Sequence, residues 1–178
     1  MGSLSIHAKN AIYFMMLWLF LTQPVSAKED KCSKHKLHTG LMFELSINNS
    51  LRDDLLFRFC IEEDAGYLFA ELQQHGFIWR EQIRPDYVFK SEVKLSPKKM
   101  EKLKDMYLAA MIHSKPDQVR GMDGSTWCFR PKSGMSYKEF CYWSPTLDDS
   151  EREVKHINDL GVHLLILSGL EKEGASIQ

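Results

Sequence analysis

The sequence predicts an α+β fold: an antiparallel sheet of about five to seven strands with two helices packed on one face. Three observations predict it. Residues 55–74 and 125–143 each read as two alternating segments around a turn. Two windows, opening near Ser96 and Asp149, carry apolar residues at helical spacing. Four cysteines, Cys32, Cys60, Cys128 and Cys141, are an even number that suggests two disulfides in an exported domain.

The chain opens with an apolar run, Ala11 to Leu21, preceded by His7 and Lys9 and followed by Val25 and Ala27 before the polarity jumps at Lys28-Glu29-Asp30. Small residues three positions and one position before a cut suit signal peptidase, so residues 1–27 read as a cleavable signal peptide. A membrane anchor needs about 20 apolar residues, more than this run supplies. No cysteine sits at the cut, which argues against a lipoprotein. The expected product is a single disulfide-stabilised domain, 28–178, in the periplasm or secreted.

Removing 27 of 178 residues leaves 151. A domain of that size buries about 68–70% of its unfolded surface and needs no metal to complete its core. The leader carries one lysine and no acid, so 23 basic and 24 acidic residues become 22 and 24, a net charge of −2. That balance gives no electrostatic reason to expect nucleic acid or an anionic membrane as partner. No repeat or linker divides the chain.

The strands begin at Leu41 to Ile47. A hairpin follows, Leu55 to Glu62 and Tyr67 to Gln74 around Glu63-Asp64-Ala65-Gly66. Placing Ile61 opposite Leu68 pairs Phe59 with Ala70 and Phe57 with Leu72, and sets Arg58 against Glu71 and Cys60 against Phe69 on the reverse face. Phe77 to Ile83 and Tyr87 to Leu95 read as further strands. Ser96-Pro97 then caps and opens a helix whose stripe is Met100, Leu103, Tyr107, Ala110 and Met111.

The second hairpin, Ser125 to Trp143, turns around Lys132 to Ser136. With Cys128 opposite Cys141, Phe129 faces Phe140 and Trp127 faces Tyr142, while Arg130 meets Glu139 on the other side. A slip of one residue would destroy this sorting. Facing cysteines on adjacent strands lie within disulfide reach. A Cys128–Cys141 bridge contributes roughly 3 kcal/mol by loop entropy, and Cys32–Cys60 follows as the second pair. The last helix is expected from Asp149-Ser150, with Val154, Ile157, Gly161, Leu164 and Leu165 as its stripe and Gly169 as its stop.

Chemistry is sparse. No G-x-S-x-G, H-E-x-x-H, C-x-x-C or G-x-G-x-x-G motif occurs, and the reading assigns no catalytic residue, cofactor or metal. Cys32, His35 and His38 have ligand-like spacing, but they are only three and Cys32 is expected to be oxidised. His156 and His163 share a helical face and suit a pH response or a metal, or simply two solvated positions. Asn48-Asn49-Ser50 is a glycosylation acceptor in a eukaryotic setting. Lys98 and Lys99 sit in a first helical turn, where cations are disfavoured. With Lys90 and Lys94 they form a candidate anion-binding patch, or a solvated basic face.

The reverse face of the sheet mixes aromatics and arginine as protein-binding surfaces do. Its candidate contacts are Trp143, Arg130, Glu139, Arg58, Tyr67 and Phe69. Alternatively, residues 28–40, tethered through Cys32, cover that face. The favoured expectation is an exported non-catalytic protein that recognises another protein, as an inhibitor or immunity protein does. A small-ligand or anion-binding envelope protein using the lysines, and a hydrolase with an unrecognised site, are the alternatives.

Overall fold

The structure, a computed structural model, describes Cys32 and residues 40–50, 52–73, 88–116, 118–121, 123–133 and 136–177. The leader at 1–27, His35, His38, the strand expected at 77–83 and Tyr87 lie outside the described residues. The elements are β1 (Leu41–Asn49), β2 (Asp54–Glu62), β3 (Ala65–Gln73), β4 (Val88–Leu95), α1 (Pro97–His113), β5 (Ser125–Ser133), β6 (Ser136–Tyr137), β7 (Phe140–Trp143) and α2 (Lys155–Ser168), followed by a 3-10 turn at Leu170–Glu173. The strands form one antiparallel sheet in the order β4-β3-β2-β1-β5. The short β6 and β7 both lie along the far side of β5. The expected α+β architecture is therefore present, with both helices on one face.

Period-two alternation explains which face. Phe43, Leu45, Ile47, Leu55, Phe57, Phe59, Leu68, Leu72, Trp127 and Phe129 point one way and are buried together with Leu103, Tyr107, Ile157, Leu160 and Leu164 of the helices. Phe43 is the hub. Its ring lies 5.7 Å from those of Phe59 and Phe129 and stacks on Tyr107 of α1 at 5.3 Å. Offset aromatic pairs of this kind add about 0.5–1.5 kcal/mol beyond their buried area. Burial raises the Tyr107 pKa above its usual value.

The 125–143 hairpin has the register read from its residues: Cys128 faces Cys141, Phe129 faces Phe140 and Trp127 faces Tyr142. The β2–β3 register differs from the expected one by two residues. Phe59 faces Leu68, Phe57 faces Ala70, and Arg58 faces Phe69 rather than Glu71. The cause is the turn. Only Glu63 and Asp64 lie between the strands, both at positive φ (47° and 65°), as a two-residue type I′ turn requires. A shift of two preserves the faces but changes every cross-strand partner.

Both helix starts also depart from expectation. Ser96 occupies the N-cap of α1, but its side chain makes no capping bond. Met111, expected in the α1 stripe, is 38% exposed. The second helix begins at Lys155, not near Asp149. The backbone before it passes through positive φ at Asp148 (51°) and Glu153 (55°), which stops a helix from propagating through this stretch. Arg152 holds the segment by donating to the carbonyls of Trp143, Ser144 and Leu147 at 2.7–3.0 Å. Gly169 ends α2 in the left-handed region, at φ 77°.

The α2 N-terminus has a hydrophobic N-cap, Val154, with no side-chain cap of its own. The Ile157 amide, which such a cap would serve, instead donates to the Ser114 hydroxyl at 3.1 Å. Ser114 is the C-cap residue of α1, so one helix end caps the other. Its carbonyl also accepts from the Tyr142 hydroxyl at 3.4 Å. Ser114→Ala is expected to cost about 1–2 kcal/mol, the worth of a lost buried cap, measured by urea denaturation. An unchanged midpoint would show that water replaces the hydroxyl.

Candidate functional site: the open face of the sheet

The face away from the helices is built from the alternate residues of the same strands. Its centre is a row across three strands: Arg58 on β2 and Arg130 on β5 both stand opposite Glu44 on β1. Glu44 accepts from Arg58 Nε at 2.8 Å and from Arg130 at 2.5 Å, and Arg130 reaches Glu139 at 2.6 Å. Four alternating charges thus run across the sheet.

Exposure divides the row in two. The Glu44 and Arg58 side chains are 8% and 9% exposed, whereas those of Arg130 and Glu139 are 40% and 44% exposed. The inner pair is a buried scaffold and the outer pair is presented to solvent. Desolvation by itself would lower the Arg130 pKa, but hydrogen bonds to Glu139 and Glu44, with their negative charges, outweigh it and raise the pKa.

Two disulfides flank the row. Cys32 is bridged to Cys60 on β2, and Cys128–Cys141 staples β5 to β7 with the two Cα atoms 4.1 Å apart. On the β2–β3 side, Cys32, Cys60 and Phe69 are buried together, with Tyr67 packed against them. The Arg58 guanidinium lies 5.4 Å from the Phe69 ring centroid. Arg58 and Phe69, expected as contact residues, are therefore on this face but buried. Cys32 covers this end, while the rest of the 28–40 segment expected to cover the face, save Gly40, lies outside the described residues.

On the β5–β7 side the face stays more open. Cys128, Cys141 and Trp143 are half-buried and Thr126 is exposed. Trp143 is not free-standing: Cβ atoms at Gly121 and Gly124 would lie 2.0 and 3.1 Å from its ring, so these two glycines pack closely against the indole.

Lys90 and Lys94 are exposed on β4, opposite Glu71 and Tyr67 of β3. Lys90 pairs with Glu71 at 3.4 Å. Lys98 and Lys99 are exposed in the first turn of α1, the helix packed on the other face. Cys128, Glu139 and Cys141 approach one another closely enough to suggest a metal cluster. Both sulfurs are in a disulfide, and neither is a thiolate ligand. The same holds for Cys32.

Helical spacing pairs His156 with His163, but the structure sets His156 against His113 from α1, ring centroids 5.1 Å apart. His163 is half-buried on α2, and its Nε2 is buried without a hydrogen-bond partner among the described residues. Burial, with the charges of Lys102 and Lys99, lowers its pKa below the usual 6.5. The folded state keeps His163 neutral where the unfolded chain takes up a proton. Stability is thus expected to fall as pH drops below about 6.5. His163→Leu should shrink that loss in denaturation curves between pH 7 and 5, and an undiminished slope would assign it to other groups.

The helical layer presents a feature that the sequence reading missed. Leu108, Met111 and Ile112 on α1 and Val162 and Ile166 on α2 are 38–64% exposed. Their i, i+3 and i, i+4 spacings mark apolar strips on the solvent sides of both helices, a signal hidden by the stronger core stripes.

No protein-family model matches the chain, and no curated protein is similar to it.

Proposed function

We propose that the chain is an exported, non-catalytic protein that recognises another protein through the open face of its sheet, with Arg130 and Glu139 at the centre of contact. The observation that carries this reading is the charge row. A half-exposed Arg–Glu pair is anchored on a buried Glu44–Arg58 pair, on strands stapled at both flanks. Held in this way, Arg130 has less side-chain freedom to lose on binding, and preorganisation of this kind raises affinity. Arginine and aromatic residues are the usual anchors of such surfaces, and Tyr67 and Trp143 stand at opposite margins of the row.

Binding is favoured over catalysis because the groups of this face engage one another. The Glu44 carboxylate serves two arginines, and the four cysteine sulfurs are oxidised. Export is supported by the two disulfides, which persist in oxidising compartments, and by the leader pattern. A mature N-terminus at Lys28, read by mass spectrometry of the secreted form, is the corresponding expectation.

The test is affinity capture with the oxidised protein, followed by identification of what binds. One defined protein is expected, lost with Arg130→Ala and Glu139→Ala and retained with Ile112→Ser and Ile166→Ser on the helical layer. Retention with the first two variants and loss with the last two would move the contact to the helices and overturn the proposal.

A further inference from the structure

Two histidines from different helices meet where α1 ends and α2 begins. His113 is the last residue of α1 and His156 the second of α2. Their ring centroids are 5.1 Å apart, with the planes tilted by 39°. Neither imidazole has a hydrogen-bond or ion-pair partner among the described residues. His113 is exposed and His156 half-buried, so the pair is reachable from solvent.

We propose that His113 and His156 together bind a divalent transition metal of the imidazole-preferring class, with Zn2+ as the reference ion. The distance carries the argument. Zinc–imidazole bonds are about 2.0–2.1 Å long, and tetrahedral ligands on one ion therefore place two imidazole centroids roughly 5 Å apart. A tilt between the rings is compatible with this, because rotation about a metal–nitrogen bond leaves the distance unchanged. Imidazole is a favoured ligand for zinc, copper and nickel.

The junction that holds the two rings is already fixed. His113 immediately precedes Ser114, and His156 immediately precedes Ile157. These following residues are joined by the 3.1 Å bond from the Ile157 amide to the Ser114 hydroxyl. A second link crosses the same junction: Lys115 is ion-paired with Glu153 at 2.7 Å. That pairing offsets the cation closest in sequence to His113, which would otherwise repel a metal ion. Two ligands on helix ends locked in this way lose little freedom on chelation. Two protein ligands leave the remaining positions to water, so the site is an open one. It lies on the helical layer, apart from the charge row of the opposite face.

Titration of the disulfide-bonded protein with ZnCl2 and NiCl2, by calorimetry and thermal melting, tests the proposal. One ion per chain is expected, with a rise in melting temperature. His113→Ala and His156→Ala should each weaken Zn2+ binding by on the order of tenfold or more, since losing a ligand costs at least as much as losing a group that orients one. His163→Gln should leave the affinity unchanged. On the unsubstituted protein, the imidazole NMR signals of His113 and His156 should move with Zn2+ while that of His163 stays, a readout that does not depend on whether a variant folds. The proposal is overturned by the absence of binding at millimolar Zn2+, or by binding that survives His113→Ala/His156→Ala undiminished.

Discussion

Glu44→Ala is expected to destabilise the protein by about 3–5 kcal/mol, the cost of removing one member of a buried ion pair. Arg58 is the reason. Its guanidinium is almost wholly enclosed, and its charge is met by Glu44 at 2.8 Å, with the Phe69 ring 5.4 Å away. Arg130→Ala is expected to cost no more than about 1 kcal/mol, because that side chain is 40% exposed and water replaces the lost contact. The asymmetry is the prediction, since both substitutions break a Glu44–Arg pair. A further variant sharpens it: replacing both inner charges together, Glu44→Leu with Arg58→Met, should recover most of the loss or exceed the parent, as buried ion pairs replaced by apolar residues often do. Urea denaturation of the oxidised protein measures all three. Equal costs for Glu44→Ala and Arg130→Ala would mean that the inner pair is more hydrated than its burial implies, and would remove the scaffold on which the proposed contact surface rests.

Much of this arrangement was legible from the residues, and the misses have specific causes. The β5–β7 register was readable because three constraints coincide on it: facing cysteines, aromatics on one side and an Arg–Glu pair on the other. The β2–β3 hairpin offered only alternation, which fixes faces and not register. Gly66 suggested a longer turn, yet its real requirement is space: a Cβ there would lie 2.9 Å from the Met100 side chain. Glu44 was invisible as the centre of the face because its partners lie 14 and 86 residues away. Ser114 was invisible as a cap for the same reason. Capping rules look three residues along the chain, and this cap acts across 43 residues. His113 escaped notice because helical spacing relates His156 to His163, while its actual neighbour belongs to the other helix.

The second large effect belongs to Trp127, whose loss connects the core to the open face. Trp127→Ala is expected to cost about 3–5 kcal/mol. The indole is fully buried, and its Nε1 donates to the Ser125 hydroxyl at 2.8 Å, so substitution both opens a cavity and removes a buried hydrogen bond. The ring also sets how closely α2 can approach β5. A Cβ at Gly161 would lie 2.2 Å from the indole, so only glycine lets the helix seat there. Alanine normally stabilises a helix by about 1 kcal/mol relative to glycine. Gly161→Ala should nonetheless destabilise the parent by about 1–3 kcal/mol through overpacking. In the Trp127→Ala background the clash is gone, and the same substitution should stabilise, by up to about 1 kcal/mol. This reversal of sign in a double-mutant cycle is expected only of residues in direct contact; additive effects would place α2 further from the sheet. Cys128 follows Trp127 directly on β5, and Arg130 stands two residues beyond it. Seating α2 on Trp127 therefore also sets the position of the strand that presents Arg130 on the other face.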